Sequence, residues 1–362
     1  MTRPRRTARR VARLTVGLLT LAAPGCYLAH AAGGQLRVLL GRESIEAAVA
    51  TGRFNDAWRA KLRLVLQARR YAAEVLGLDV GGAYADLYDT RGGPIAWNVS
   101  ASPPDAFAPH LWWFPIVGAV PYLGYFDRAP AEAEAAALRA RGLDALLLPV
   151  PAYSTLGWFD DPLFTGMLRL DEAALVEVVL HELAHRTIYV PGDADLNETL
   201  ATFVGRQGAL ELFVARGGPD DPALAALRDD LADQALFRRA IDDLYERVWR
   251  VQAASGDRDA VLARKAEVIA AWRARFEREV RPELTGAGYD FVRDPRVSFD
   301  NAFLLMFRRY HGDLDLFEAL FEQEGRDLPR TVRLLAELAD APDPRAALEA
   351  RARGREAGGG AR

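Results

Sequence analysis

The sequence predicts an α+β fold that is predominantly helical, and three observations lead there. Short apolar stretches bounded by Gly and Pro crowd into residues 94–150, which is how strands read. From Asp171 to about residue 340, apolar residues recur at helical spacing with few breaks. The pentad HELAH, residues 181–185, lies in the apolar run ALVEVVLHELAHRTIYV and sets two imidazoles one helical turn apart. A chain of 362 residues, 50% hydrophobic and 27% charged, can bury a large core without disulfides. Disulfides within the chain are excluded in any case, since Cys26 is the only cysteine. No linker divides residues 27–340, which read as a single domain.

The first 25 residues are an address. Six arginines and no acid precede a short apolar run near Leu14–Ala23, and small residues lead to Cys26. That is the layout of a secretory signal, and the run is too short to span a bilayer. It resembles a bacterial lipoprotein processing site, in which Cys26 becomes the lipidated first residue. Pro24 departs from that pattern. The competing cut follows Ala31 in Ala29-His30-Ala31 and would release a soluble periplasmic protein. The expected location is therefore the cell envelope, facing the periplasm and lipid-anchored at Cys26. Removing the six leader charges from a net charge of −4 leaves −10. An acidic mature chain argues against nucleic acid as a partner.

Helical spacing through Phe54, Trp58, Leu62, Val65 and Leu66 predicts helix within Ser44–Leu78, ending at Gly77. Strands are expected at Pro94–Ala101, Trp112–Val120 and Asp144–Val150, with an alanine-rich helix over Ala129–Arg141. AYSTLGWFDDPL, residues 152–163, is turn-rich. Asp171 suits the N-cap of the helix that carries HELAH. VPGDAD, residues 190–195, breaks that helix, and a second runs from about Leu196 to Ala215. Pro219–Glu279 reads as a helical hairpin broken near Gly256, and helices follow near Phe299–Tyr310 and Leu328–Leu338. Residues 341–362 form a partly disordered tail, Gly-rich at its end.

The chemistry rests on three side chains. His181 and His185 share a helix face, so both rings can reach one Zn²⁺, and Glu182 beside them can act as general base. Read alone, the pentad is equally an ordinary helix with two satisfied histidines. A catalytic zinc takes three protein ligands and keeps one position open. Glu198, in the first turn of the next helix, is placed to be the third, although acids favour first turns for the helix dipole alone.

HELAH followed by Asn197-Glu198-Thr199-Leu200-Ala201 resembles zincins of the gluzincin type, in which Asn-Glu-x-x-Ala supplies the third ligand. Twelve residues separate His185 from Glu198, fewer than in familiar members. A closer resemblance, over almost the whole mature length, is to the bacterial family called putative aminopeptidases. YLAHAAGGQLRVLL, FPIVGAVPYLGYF (114–126), AYSTLGWFDDPL, HELAHRTIYVPGDADLNETLATFVG (181–205) and DNAFLLMFRRY (300–310) carry it, and the short spacing is shared there. The resemblance implies a zincin-like metallopeptidase with one Zn²⁺ per chain and a small mixed sheet packed on the HELAH helix and the helices after it. It also implies peptide substrates, with aminopeptidase activity by analogy. Endopeptidase activity on the same site, or metal or peptide binding without catalysis, are the alternatives. Tyr310 matches a family tyrosine suited to hold charge on the attacked carbonyl oxygen, with Tyr189 and Tyr153 as alternatives. Each reads equally as a core tyrosine. In zincins the segment before the metal helix pairs with substrate backbone, which would put Tyr153, Ser154 and Gly157 in the cleft. That segment reads equally as a structural loop. Asp193 suits either orientation of a ligand histidine or a turn. His110 and His311 lack ligand spacing and read as structural. Oligomeric state is not legible.

Overall fold

The computed structural model describes Tyr27 and residues 30–114, 118–153, 160–254 and 256–354. Cys26, Ser154 and Gly157 lie outside the described residues, as does the leader. The chain begins with a helix over residues 30–41 (α1), then β1 (Arg42–Ser44), α2 (Ile45–Ala50) and α3 (Asp56–Glu74). The long helix expected over Ser44–Leu78 is thus two, parted where Gly52 takes a φ of 68°. Asn55 then caps α3 by accepting from the backbone N of Trp58 at 2.8 Å.

Next come β2 (Asp86–Tyr88), β3 (Ala96–Ser102), β4 (Trp112–Phe114), β5 (Gly118–Val120), β6 (Leu123–Tyr125), α4 (Arg128–Ala140), β7 (Asp144–Val150) and β8 (Leu163–Phe164). The strand expected over Trp112–Val120 is an antiparallel hairpin, with Trp112 opposite Val120. Where a small mixed sheet was expected on the HELAH helix and the next, the described residues form three sheets. β1-β2-β8 is mixed, and its Leu87, Leu163 and Phe164 enter the main core beside the HELAH helix. β6-β3-β7 is antiparallel and packs instead against α4 and a later helix over Asn301–His311.

The helical half comprises α5 (Glu172–Thr187), α6 (Ala194–Gly217), α7 (Pro222–Ala253), α8 (Arg258–Arg275), α9 (Asn301–His311), α10 (Leu314–Gln323), α11 (Leu328–Ala339) and α12 (Pro344–Arg353). The fold is predominantly helical with small sheets. α7 and α8 form the expected hairpin. α12 occupies part of the expected tail, and its Leu348 and Ala352 are buried.

α5 and α6 approach closely. A Cβ on Gly205 would stand 2.7 Å from the Glu177 carbonyl oxygen and 3.3 Å from the His181 Cβ. One on Gly208 would meet Leu180 at 2.8 Å. Glycine at these two positions lets α6 lie against the face of α5 that carries the histidines.

Candidate metal centre

Asp171 caps α5, accepting from the Ala174 N–H at 2.8 Å, and the helix runs to Thr187. The chain then turns within a few residues, with Gly192 at a φ of 82°. The buried Asn197 clamps this turn. Its Oδ1 accepts from the Val190 N–H and its Nδ2 donates to the Val190 carbonyl, both at 2.7 Å. Asp193 caps α6 through the Leu196 N–H at 3.0 Å and pairs with Arg345 at 2.8 Å. Asp193 is therefore a cap and turn residue, and the alternative of orienting a histidine is set aside. Glu198, next to the clamp, is returned to the histidines.

The Nε2 atoms of His181 and His185 are 3.1 Å apart, and Glu198 Oε2 lies 3.3 Å from the first and 3.5 Å from the second. These three form the cluster of possible metal ligands among the described residues. Three donors on a tetrahedral zinc, each at roughly 2.0–2.1 Å, would stand about 3.3–3.4 Å apart. The observed edges average to that value. A point roughly 2.05 Å from all three donors stands about 0.7 Å off their plane, close to the height of a zinc above three of its tetrahedral ligands. An octahedral magnesium would require edges of about 2.9 Å, and imidazole nitrogen disfavours calcium. The residues fit zinc.

Burial holds the His181 pKa below its usual value, against the opposing pull of Glu198. Burial acts the same way on His185, but Glu198 and Glu182 outweigh it and its pKa is raised. Burial would raise Glu198, yet the two imidazoles beside it hold its carboxyl well below the usual range. Thr202, one turn after Glu198 on α6, places Oγ1 3.5 Å from His181 Nδ1. With a metal on the triangle, His181 would carry its proton on Nδ1, where Thr202 Oγ1 could accept it, and would turn its Nε2 lone pair to the other donors.

Glu182 is half-buried outside the triangle. Burial pushes its pKa to about 7; His185 opposes this, while Glu198 and Asp161 add to it. A dication on the triangle would draw that value down, into the range of an ionised base. Tyr310 stacks at 6.4 Å, centroid to centroid, on His181. A bond from Thr199 Oγ1 to the Arg309 carbonyl at 2.9 Å ties α6 to α9 just before Tyr310. Burial raises the phenol pKa of both Tyr310 and Tyr122, which feel Glu198 and Glu182, so both remain hydrogen-bond donors.

Tyr153 has its own partners. Its hydroxyl pairs with Gln35 Oε1 at 2.7 Å and its ring stacks on Phe164 at 5.4 Å. Tyr189 is exposed. His110 packs on Trp112, and His311 bonds the Phe307 carbonyl at 2.9 Å, away from the triangle. Sequence reasoning missed Thr202, Asn197 as a clamp, Tyr122 and the buried Asp161. The i,i+4 spacing of Glu198 and Thr202 was the one available signal.

The sequence model of the family described as putative aminopeptidase matches residues 26–348, most of the chain, and the chain belongs to that family. No curated protein and no solved structure gives a match.

Proposed function

We propose that this member of the putative aminopeptidase family is a zinc-dependent peptidase, and that His181, His185 and Glu198 hold the metal. The triangle of donors, with edges of 3.1, 3.3 and 3.5 Å, carries the reading. When bound there, zinc polarises the substrate carbonyl and acidifies water. Glu182 takes a proton from the attacking water and returns it to the departing amine. The Tyr310 hydroxyl, with Tyr122 beside it, donates to the carbonyl oxygen as charge develops there. The family description supports aminopeptidase action over endopeptidase action.

The test is metal content and hydrolysis together. We expect about one zinc per chain, in line with a single three-ligand site. His185→Ala should lose the zinc, and peptides with a free amine should be cut while their N-acetylated forms are not. Cleavage of acetylated peptides would make the protein an endopeptidase. A zinc-free protein, or zinc retained by His185→Ala, would end the metallopeptidase reading.

Anchoring at Cys26 belongs to the same proposal. Tyr27 donates to the Gly124 carbonyl at 3.1 Å and packs on Tyr125 at 5.4 Å. His30 pairs with Asp127 at 3.7 Å, and residues 30–41 are helical. Cleavage after Ala31 would discard those contacts and cut into α1, whereas cleavage before Cys26 keeps them. Mass spectrometry of the membrane fraction should find an N-terminal peptide beginning with diacylglyceryl-Cys26. An N-terminus at Ala32 in a soluble fraction would refute it.

A further inference from the structure

A cavity of about 230 Å³ is lined in part by Tyr122 and Tyr310, the two tyrosines that feel Glu198. Its floor is one face of the β3–β7 pair, where Asn98 stands opposite Leu148 and Ser100 opposite Leu146. Val99, Ala101 and Ala145 point the other way, into the core under α4. Its wall is α9, through Met306, Arg309 and Tyr310, which share one side of that helix. Tyr310 lines the cavity and stacks on His181, so the cavity opens beside the place where a peptide bond would be attacked.

We propose that this cavity receives the side chain of the substrate residue beside the cleaved bond, accepting a large apolar side chain and rejecting a cationic one. The inference rests on the peptidase reading and adds a substrate class to it. An apolar cavity of roughly 150 Å³ is enough to hold benzene. The present one is larger, so it has room for leucine, methionine or phenylalanine side chains. Its lining is mostly apolar, and burial there rewards each added methylene.

Arg309 is the one charged residue in that lining. Its side chain is 7% exposed and tied through Nε to Asp195 at 2.9 Å. A lysine or arginine side chain would meet a like charge and, among the described residues, no carboxylate on the cavity wall. An acidic one would exchange its water for Asn98, Ser100 and a guanidinium already paired to Asp195.

The test reads binding apart from cleavage. Calorimetric titration of the Glu182→Gln protein would use tripeptides in which each residue flanking the bond is varied in turn. At one flanking position, leucine, methionine and phenylalanine should bind at least about tenfold tighter than alanine, and lysine more weakly than alanine. Filling the cavity with Met306→Trp, or with Leu148→Trp from the floor, should bring the leucine-to-alanine ratio toward one. Arg309→Met should bring lysine peptides up toward alanine peptides. Equal affinities for leucine, alanine and lysine at both positions would overturn the proposal. So would filling variants that weaken all peptides by the same factor. Apolar preference without hydrolysis by the wild-type protein would leave the pocket standing and remove the peptidase. Hydrolysis without preference would do the reverse.

Discussion

Glu182→Gln is expected to lower turnover by about 10²–10⁴-fold, the range a positioned general base supplies, while zinc content stays at the wild-type level. The two readouts must separate because Glu182 stands next to His181 in the chain but outside the donor triangle. Glutamine keeps nearly the same shape and can still hydrogen-bond a water. It cannot take the proton. Substrate affinity should change little, so the loss should appear in kcat rather than in KM. The same variant distinguishes an enzyme from a scaffold. A protein that merely binds metal or peptide would show the same zinc content and no activity to lose. Turnover within a few-fold of wild type would remove Glu182 from the chemistry. Loss of zinc would instead make it a ligand and require a different geometry for the site.

How far the sequence reached can be argued from particular residues. The helix that carries HELAH was legible because its signals are local: an acidic cap at Asp171, an apolar run, and histidines at the one spacing that aligns their rings. The return of Glu198 was legible because Pro191 and Gly192 leave little chain for anything but a tight turn. What holds that turn was not, since the Asn197 clamp reaches back seven positions to Val190, and only coordinates pair them. The strands β1, β2, β6 and β8 are two or three residues long, too short for a period of two to register. A small mixed sheet was expected, but that β1, β2 and β8 make it and β6 joins β3 and β7 instead was not legible. The hairpin β4–β5 read as one strand because both halves are apolar. Tyr310 came from a family resemblance. Its convergence on His181 depends on the contact between Thr199 and the Arg309 backbone, more than a hundred residues apart in sequence. Tyr122, Asp161 and the face of the β3–β7 pair depend in the same way on tertiary packing.

Glu198→Ala should have the largest effect on the metal. Glu198 is the anionic member of the triangle and comes from a different helix than the two histidines. Without it, two imidazoles remain and the third corner is empty. Loss of a supporting group beyond the ligands costs roughly 10–100-fold in metal affinity, and loss of a ligand should cost more. A heat-denaturation series can read this without any substrate. A ligand that binds only the folded state stabilises it by about 4 kcal/mol when present at a thousand times its dissociation constant. Wild-type protein should therefore melt several degrees higher with zinc than after chelation, and Glu198→Ala should melt at one temperature under both conditions. The effect should also depend on pH. Burial disfavours the charged form of His185, yet Glu198 raises its pKa above the usual value, so protons compete for this ring as pH falls. The zinc-dependent rise in the wild type should shrink as the solution is acidified through that pKa and be full well above it. A variant without Glu198 that still melted higher with zinc would show that the two histidines do not share their metal with this carboxylate. The α5–α6 turn would then be only a structural corner.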